Sequence, residues 1–253
     1  MTVTGKRLVF AALATLGGFV LVLAATDTAL AQVLSLDLGE GGGDATGRIV
    51  QLIVLITVLS IAPAILVMVT SFTRIIIVLS FVRTAMGVQQ TPPNQVLIGL
   101  ALFLTAFVMM PTFEEAYDIG IAPMINEEID EFEAFERAAV PFKNFMLRHV
   151  REQDLRLFVD LAEITDEELA EGIPLQALVP AFVISELRRA FEIGFLIFVP
   201  FLIIDMVVAS VLMSMGMMML PPIIIALPFK IIFFVLVDGW YMVVGSLVRS
   251  FGG

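Results

Sequence analysis

The chain has 253 residues, 59% of them hydrophobic, and a mean hydropathy of +1.01, beyond the roughly 45–50% apolar content of ordinary soluble domains, so it reads as a membrane protein. Its net charge of −11 excludes a nucleic-acid partner, which would need clustered Lys and Arg to displace counterions. With no cysteine and a single histidine, His149, disulfides, zinc clusters and Cys/His catalysis are excluded, and no metal or cofactor is expected.

At the N-terminus Lys6 and Arg7 precede a hydrophobic run from Leu8 to Ala25, and the small residues Ala29 and Ala31 stand just before Gln32. This is the layout of a secretory signal peptide, residues 1–31. The run is nearly long enough to span a bilayer, so an uncleaved anchor is the alternative. Residues 32–47, with "GEGGGDATG", read as a flexible lead-in.

Four hydrophobic segments follow, Ile49 to Thr70, Gln95 to Met110, Phe195 to Met213 and Ile223 to Val248. Each is within or near the length that crosses a hydrocarbon layer of about 30 Å. Residues 48–111 thus form a first hydrophobic hairpin and 181–253 a second. With an external N-terminus, "SFTRIIIVLSFVRTAMGVQQTPP" becomes an inside loop carrying Arg74 and Arg83, in keeping with the positive-inside tendency.

Residues 112–180 differ in kind, since they hold most of the 25 acidic residues and a minority of the 14 basic ones. Phe142, Phe145 and Met146, then Leu155, Phe158 and Val159, recur at helical intervals among charges, which predicts an inserted acidic helical domain outside the membrane. Phe142, Phe145, Met146 and Phe158 are expected to pack between subunits. In "ITDEELAEGIP" Thr165 reads as an N-cap, with Gly172 and Pro174 ending the helix. His149, among charged neighbours, reads as a solvated surface residue.

Pro63, Pro200 and Pro228 fall inside hydrophobic segments, and Pro221 and Pro222 lie at a junction. Proline frees carbonyls that lipid cannot satisfy, so the broken helices should be covered by protein in an assembly. From Ile193 to Val237 only Asp205 and Lys230 are charged, and both need partners. Arg74 is the expected mate of Asp205, and Glu186 or Glu192 that of Lys230. An aspartyl protease built on Asp205 and Asp238 lacks the glycine-containing signature, and a small-solute transporter would need an internal repeat that is not evident. The run "SMGMMMLPP" fits gap-filling in a core, or less well a Cu(I) site without Cys or His.

The blocks "TSFTRIIIVLSFVRTAMGVQQTPPNQVLIGLALFLTAFVM", "PAFVISELRRAFEIGFLIFVPFLIIDMVVASVLMSMGMMMLPP" and "LPFKIIFFVLVDGWYMVVGSLVRSF" resemble the FliP/SctR family of type III export-gate proteins, from about residue 48 onward. The resemblance implies an all-α membrane-associated subunit of bent helical hairpins in a ring-like helical assembly, a pentamer joined by FliQ-like and FliR-like subunits and other export-apparatus membrane proteins. It implies a non-enzymatic role in a basal body of the bacterial inner membrane, passing unfolded flagellar proteins, the virulence-secretion branch being the alternative. It also implies that Met217, Met218 and Met219 form a pore gasket, with Met213 and Met215 as possible extensions. Methionine suits such a gasket because it is apolar and conformationally adaptable.

Overall fold

A computed structural model describes residues 44–88, 90–165, 169, 172–217 and 221–252; the expected signal peptide lies outside the described residues. Two units are present, residues 1–60 and 61–253. Among the described residues every regular element is helical, which agrees with the all-α expectation.

The first unit holds the beginning of α1 (Asp44–Met68), so helix already includes the last four residues of the expected lead-in. Thr57 and Ser60 turn their hydroxyls back to donate to the carbonyls of Ile53 and Ile56, each at 2.7 Å. Polar side chains are thereby satisfied within an apolar helix.

The second unit is built around α2 (Phe72–Ala85). This segment was expected to be an inside loop, yet Ile75, Val78, Leu79, Val82 and Ala85 are wholly buried. Apolar residues at intervals of three and four make one continuous stripe, and neighbours from α3 (Asn94–Ala116), α7 (Leu175–Ser214), α8 (Pro222–Leu236) and α9 (Gly239–Arg249) close over it through Leu97, Ala101, Ala190, Phe201, Phe234 and Leu247. At 14 residues α2 is too short to span a bilayer but long enough to serve as a core helix.

A π-helical turn (Tyr117–Ile121) and a short α4 (Ala122–Ile125) prolong α3. Gly120 in that turn lies against α5 (Glu131–His149) so closely that a Cβ would come 2.7 Å from the Ala134 carbonyl. The N-cap of α5 is Asp130, which accepts from the Glu133 amide at 2.8 Å; Glu131 and Glu133 occupy its first turn and Arg148 and His149 its last. Charges of these signs complement the helix dipole. After α6 (Glu152–Leu161) the chain reaches α7 past Gly172, whose φ of +122° suits glycine. Most of the helix expected over "ITDEELAEGIP" lies outside the described residues.

The acidic segment packs onto the hydrophobic part rather than standing apart. Phe145 and Met146 of α5 join Met109 of α3 and Leu178 and Phe182 of α7 in a second core, with Phe142 partly buried beside them. Phe145 and Met146, expected to pack between subunits, are therefore spent inside their own chain. The boundaries expected near residues 111 and 180 fall within the continuous helices α3 and α7.

None of Pro63, Pro200 and Pro228 ends its helix, and α7 runs 40 residues through Pro180 and Pro200. The interruptions come instead after Ser214 and at Val237 and Asp238, where α8 and α9 meet at a 62° bend. Asp238 there has φ +50°, a conformation aspartate tolerates better than most residues. Two helical stretches, Asn94–Ile125 and Leu175–Ser214, each containing an 18-residue segment of mean hydropathy 2.2 and 2.7 respectively, are long and apolar enough to cross a membrane; the bent α8–α9 pair adds a third if it counts as one span.

Candidate functional site: a methionine turn and a buried charge network

The C-terminal end of α7 closes in a Schellman arrangement. The Met217 amide donates to the Leu212 carbonyl at 3.0 Å and the Gly216 amide to the Met213 carbonyl at 3.1 Å, with Gly216 at φ +75°. These bonds satisfy carbonyls that a helix end would leave open, and glycine is the residue that reaches this backbone without strain. Helix α8 restarts with Pro222 at its first position after Pro221, where a missing N–H costs nothing. Backbone chemistry thus sets both described ends of the connection between these helices, residues 215–217 and Pro221. Its methionines face outward: Met213, Met215 and Met217 are 57%, 62% and 42% exposed. Met218 and Met219 lie outside the described residues.

The buried charges pair in the opposite sense to the expectation. Arg74 meets Glu186, with Nε donating to Oε2 at 2.8 Å and Nη2 to Oε1 at 2.5 Å, the side chains 3% and 0% exposed. Its third nitrogen, Nη1, donates to the carbonyl and the hydroxyl of Ser250 at 3.1 and 2.9 Å, and its guanidinium lies 3.8 Å from the centre of the Phe251 ring. One arginine therefore ties α2, α7 and the C-terminal tail together. The planar fork of arginine matches a carboxylate in two parallel bonds, which a lysine could not do.

Lys230 instead meets Asp205, Nζ donating to Oδ2 at 2.6 Å and to the Ala85 carbonyl at 3.3 Å. That carbonyl belongs to the last turn of α2, the negative end of its dipole. Asp205 Oδ1 is buried with no hydrogen-bond partner among the described residues. Glu192 serves neither buried pair: it accepts from Arg188 and Arg189 on the exposed side of α7. The swap was not legible because partners 112 residues apart leave no local spacing to read.

His149 is not a solvated surface residue. It packs 4.7 Å from the Phe145 ring and 5.4 Å from Phe251, measured between ring centres. Burial, and then the charges of Arg74 and Arg148, hold its pKa down to about 4, so the imidazole is neutral at pH 7. Phe158 is half-buried on α6, while Phe132 and Phe135, which the sequence reading passed over, are the most exposed aromatic residues of α5. Among the described residues no group of His, Cys, Asp and Glu is arranged to hold a metal. Asp238 occupies the N-cap position of α9 without a side-chain cap hydrogen bond, and Asp205 is engaged by Lys230.

Comparison with known proteins identifies the family to which the chain belongs. The profile of the FliP family matches residues 55–247. The chain is 62% identical over 224 residues to the flagellar biosynthetic protein FliP of Caulobacter vibrioides, an alignment covering 88% of this chain and 84% of that protein. It is 60% identical over 202 residues to the protein of the same name from Bacillus subtilis, covering 80% and 91%. For the Aquifex aeolicus protein the identity is 49% over 222 residues, covering 87% and 92%. On the extent of that profile match and the identity to these relatives, the chain belongs to the FliP family.

Proposed function

We propose that this protein is a structural, non-catalytic subunit of the flagellar protein export gate, and that the turn after α7 seals its pore. The observation that carries the reading is the turn itself: exposed methionines presented between two helix ends, anchored by the Schellman bonds of Gly216 and Met217 and by Pro221–Pro222. Repeated around a homo-oligomeric ring, pentameric by family resemblance, residues 213–219 would bring thioethers together at one narrow place. An apolar constriction excludes ions by dewetting, and unbranched methionine side chains yield to an unfolded polypeptide. FliQ-like and FliR-like subunits and other export-apparatus membrane proteins complete the gate, which stands in the inner membrane with the acidic segment on the periplasmic side.

In this reading Arg74–Glu186 and Lys230–Asp205 are structural pairs that hold α7 and α8 at a fixed angle to α2. The test is small-ion conductance and motility in cells whose only copy carries Met217→Ala, Met218→Ala and Met219→Ala. Raised conductance with normal subunit assembly is expected; an ion-tight, normally assembled complex would return the methionines to packing.

A further inference from the structure

A cavity of about 440 Å³ opens where the end of α5 and the start of α6 meet α7. Arg74, Arg148, Arg151, Arg188 and Arg189 line it against one carboxylate, that of Glu192. Such a concentration of guanidinium groups is out of character for a chain of net charge −11. Glu186 is committed to Arg74, and Glu192 is divided between Arg188 at 3.1 Å and Arg189 at 3.2 Å. Arg151 Nη1 is buried without a hydrogen-bond partner among the described residues, its nearest carboxylate being Asp154 at 3.7 Å, beyond hydrogen-bond range. Each guanidinium carries five N–H donors, so the cavity presents more donors than its own carboxylates can satisfy.

Guanidinium forks match the oxygens of a phosphate in two parallel bonds. The surroundings point to where that phosphate comes from. Arg188 begins a helical face that continues through Phe191, Phe195, Leu202 and Met206, all exposed, at the intervals of three, four and seven that place residues on one side of a helix. The stretch from Phe195 to Ser214 is about 20 residues, the thickness of a hydrocarbon layer, and the arginines stand just before it. Arginines at the end of an apolar span reach the level of the lipid headgroups. We propose that the cavity binds the phosphate of an anionic phospholipid whose acyl chains lie along the exposed face of α7.

The experiment is native mass spectrometry of the full chain in detergent, titrated with phosphatidylglycerol, with phosphatidylcholine and separately with inorganic phosphate. Retention of phosphatidylglycerol over phosphatidylcholine is expected, weakened about 30-fold in an Arg148→Gln/Arg188→Gln variant. Glu192→Gln, which frees two arginines, should tighten binding, a gain that loss of folding cannot imitate. Equal retention by parent and both variants would overturn the site. Inorganic phosphate binding that responds to both variants, without a lipid preference, would keep the phosphate chemistry and overturn the lipid. Retention of a second copy of the chain instead, lost in the double-arginine variant, would assign the cavity to a subunit contact and overturn the proposal.

Discussion

From Leu175 to Gly194, α7 is tied into its own chain: Ala177, Leu178, Ala181, Phe182, Ser185, Glu186, Ala190 and Gly194 are buried at regular helical intervals. From Phe195 to Ser214 the same helix buries only Phe201 and Leu212 and exposes Phe195, Leu196, Met206 and Val207. The first half carries Glu186, Arg188, Arg189 and Glu192 where the second has Asp205 alone, and the neighbours change along with the sequence. Where α2, α5 and α6 are present, small residues let the backbones approach and one buried ion pair fixes the register. Beyond Phe201, which still packs in the core around α2, α7 offers an apolar surface for lipid or for other subunits. One helix about 60 Å long thus anchors the fold at one end and leaves an apolar surface uncovered at the other.

The comparison breaks most sharply at Glu186. Glu186→Ala leaves Arg74 buried without its carboxylate and should cost about 3–5 kcal/mol, read by unfolding of the detergent-solubilised chain. A loss below about 1 kcal/mol would mean that Ser250 and Phe251 satisfy Arg74 by themselves. An Arg74→Met/Glu186→Leu double variant should recover most of the loss, because paired removal leaves no orphaned charge.

Gly194 marks the end of the closely packed half. A Cβ there would lie 2.5 Å from Cδ2 of Phe81, so Gly194→Val should cost about 1–3 kcal/mol; an unchanged melting temperature would show that Phe81 swings clear. In the open half, Asp205→Asn keeps an acceptor for Lys230 but removes the charge from a partly exposed site, and a loss of about 1–2 kcal/mol is expected in the same assay.

The packed half is also where pH should act. His149 titrates near 4 in the fold against about 6.5 in an unfolded chain, so between these values the unfolded state binds more protons. Its contribution to stability is fully present above about pH 6.5 and is lost as pH falls toward 4. His149→Gln should flatten that part of the stability profile, and an unchanged profile would place the dependence on other groups. The smallest effect is expected at the exposed end: Val207→Ser, off the face assigned to acyl chains, should alter the stability of the isolated chain by less than about 0.5 kcal/mol while lowering recovery of assembled complexes. A large loss in the isolated chain would erase the distinction between the two halves.

Legibility followed range. Helical class, the hydrophobic runs, the acidic segment and the methionine turn could be read because each is a property of residues close in sequence. Apart from the prolines that do not break their helices, the misreadings involve distance. The segment "TRIIIVLSFVRTA" reads as a loop between spans until α7, α3 and α9 are placed around it. Arg74 and Asp205 look like mates until Glu186 and Lys230 are found nearer. Phe145 reads as an assembly surface until Leu178 and Phe182 cover it.

By itself the sequence determined that this is a helical, membrane-associated chain and that an apolar segment ends at the methionine run before Pro221–Pro222, because hydropathy, helical periodicity and proline act locally. Tertiary structure alone decided which charges meet, that α2 is the centre of the second unit, and that five arginines converge on one cavity. Coulomb attraction and close packing depend on separation in space, and residues 112 apart in the chain, such as Arg74 and Glu186, come within 3 Å only after the helices have folded together.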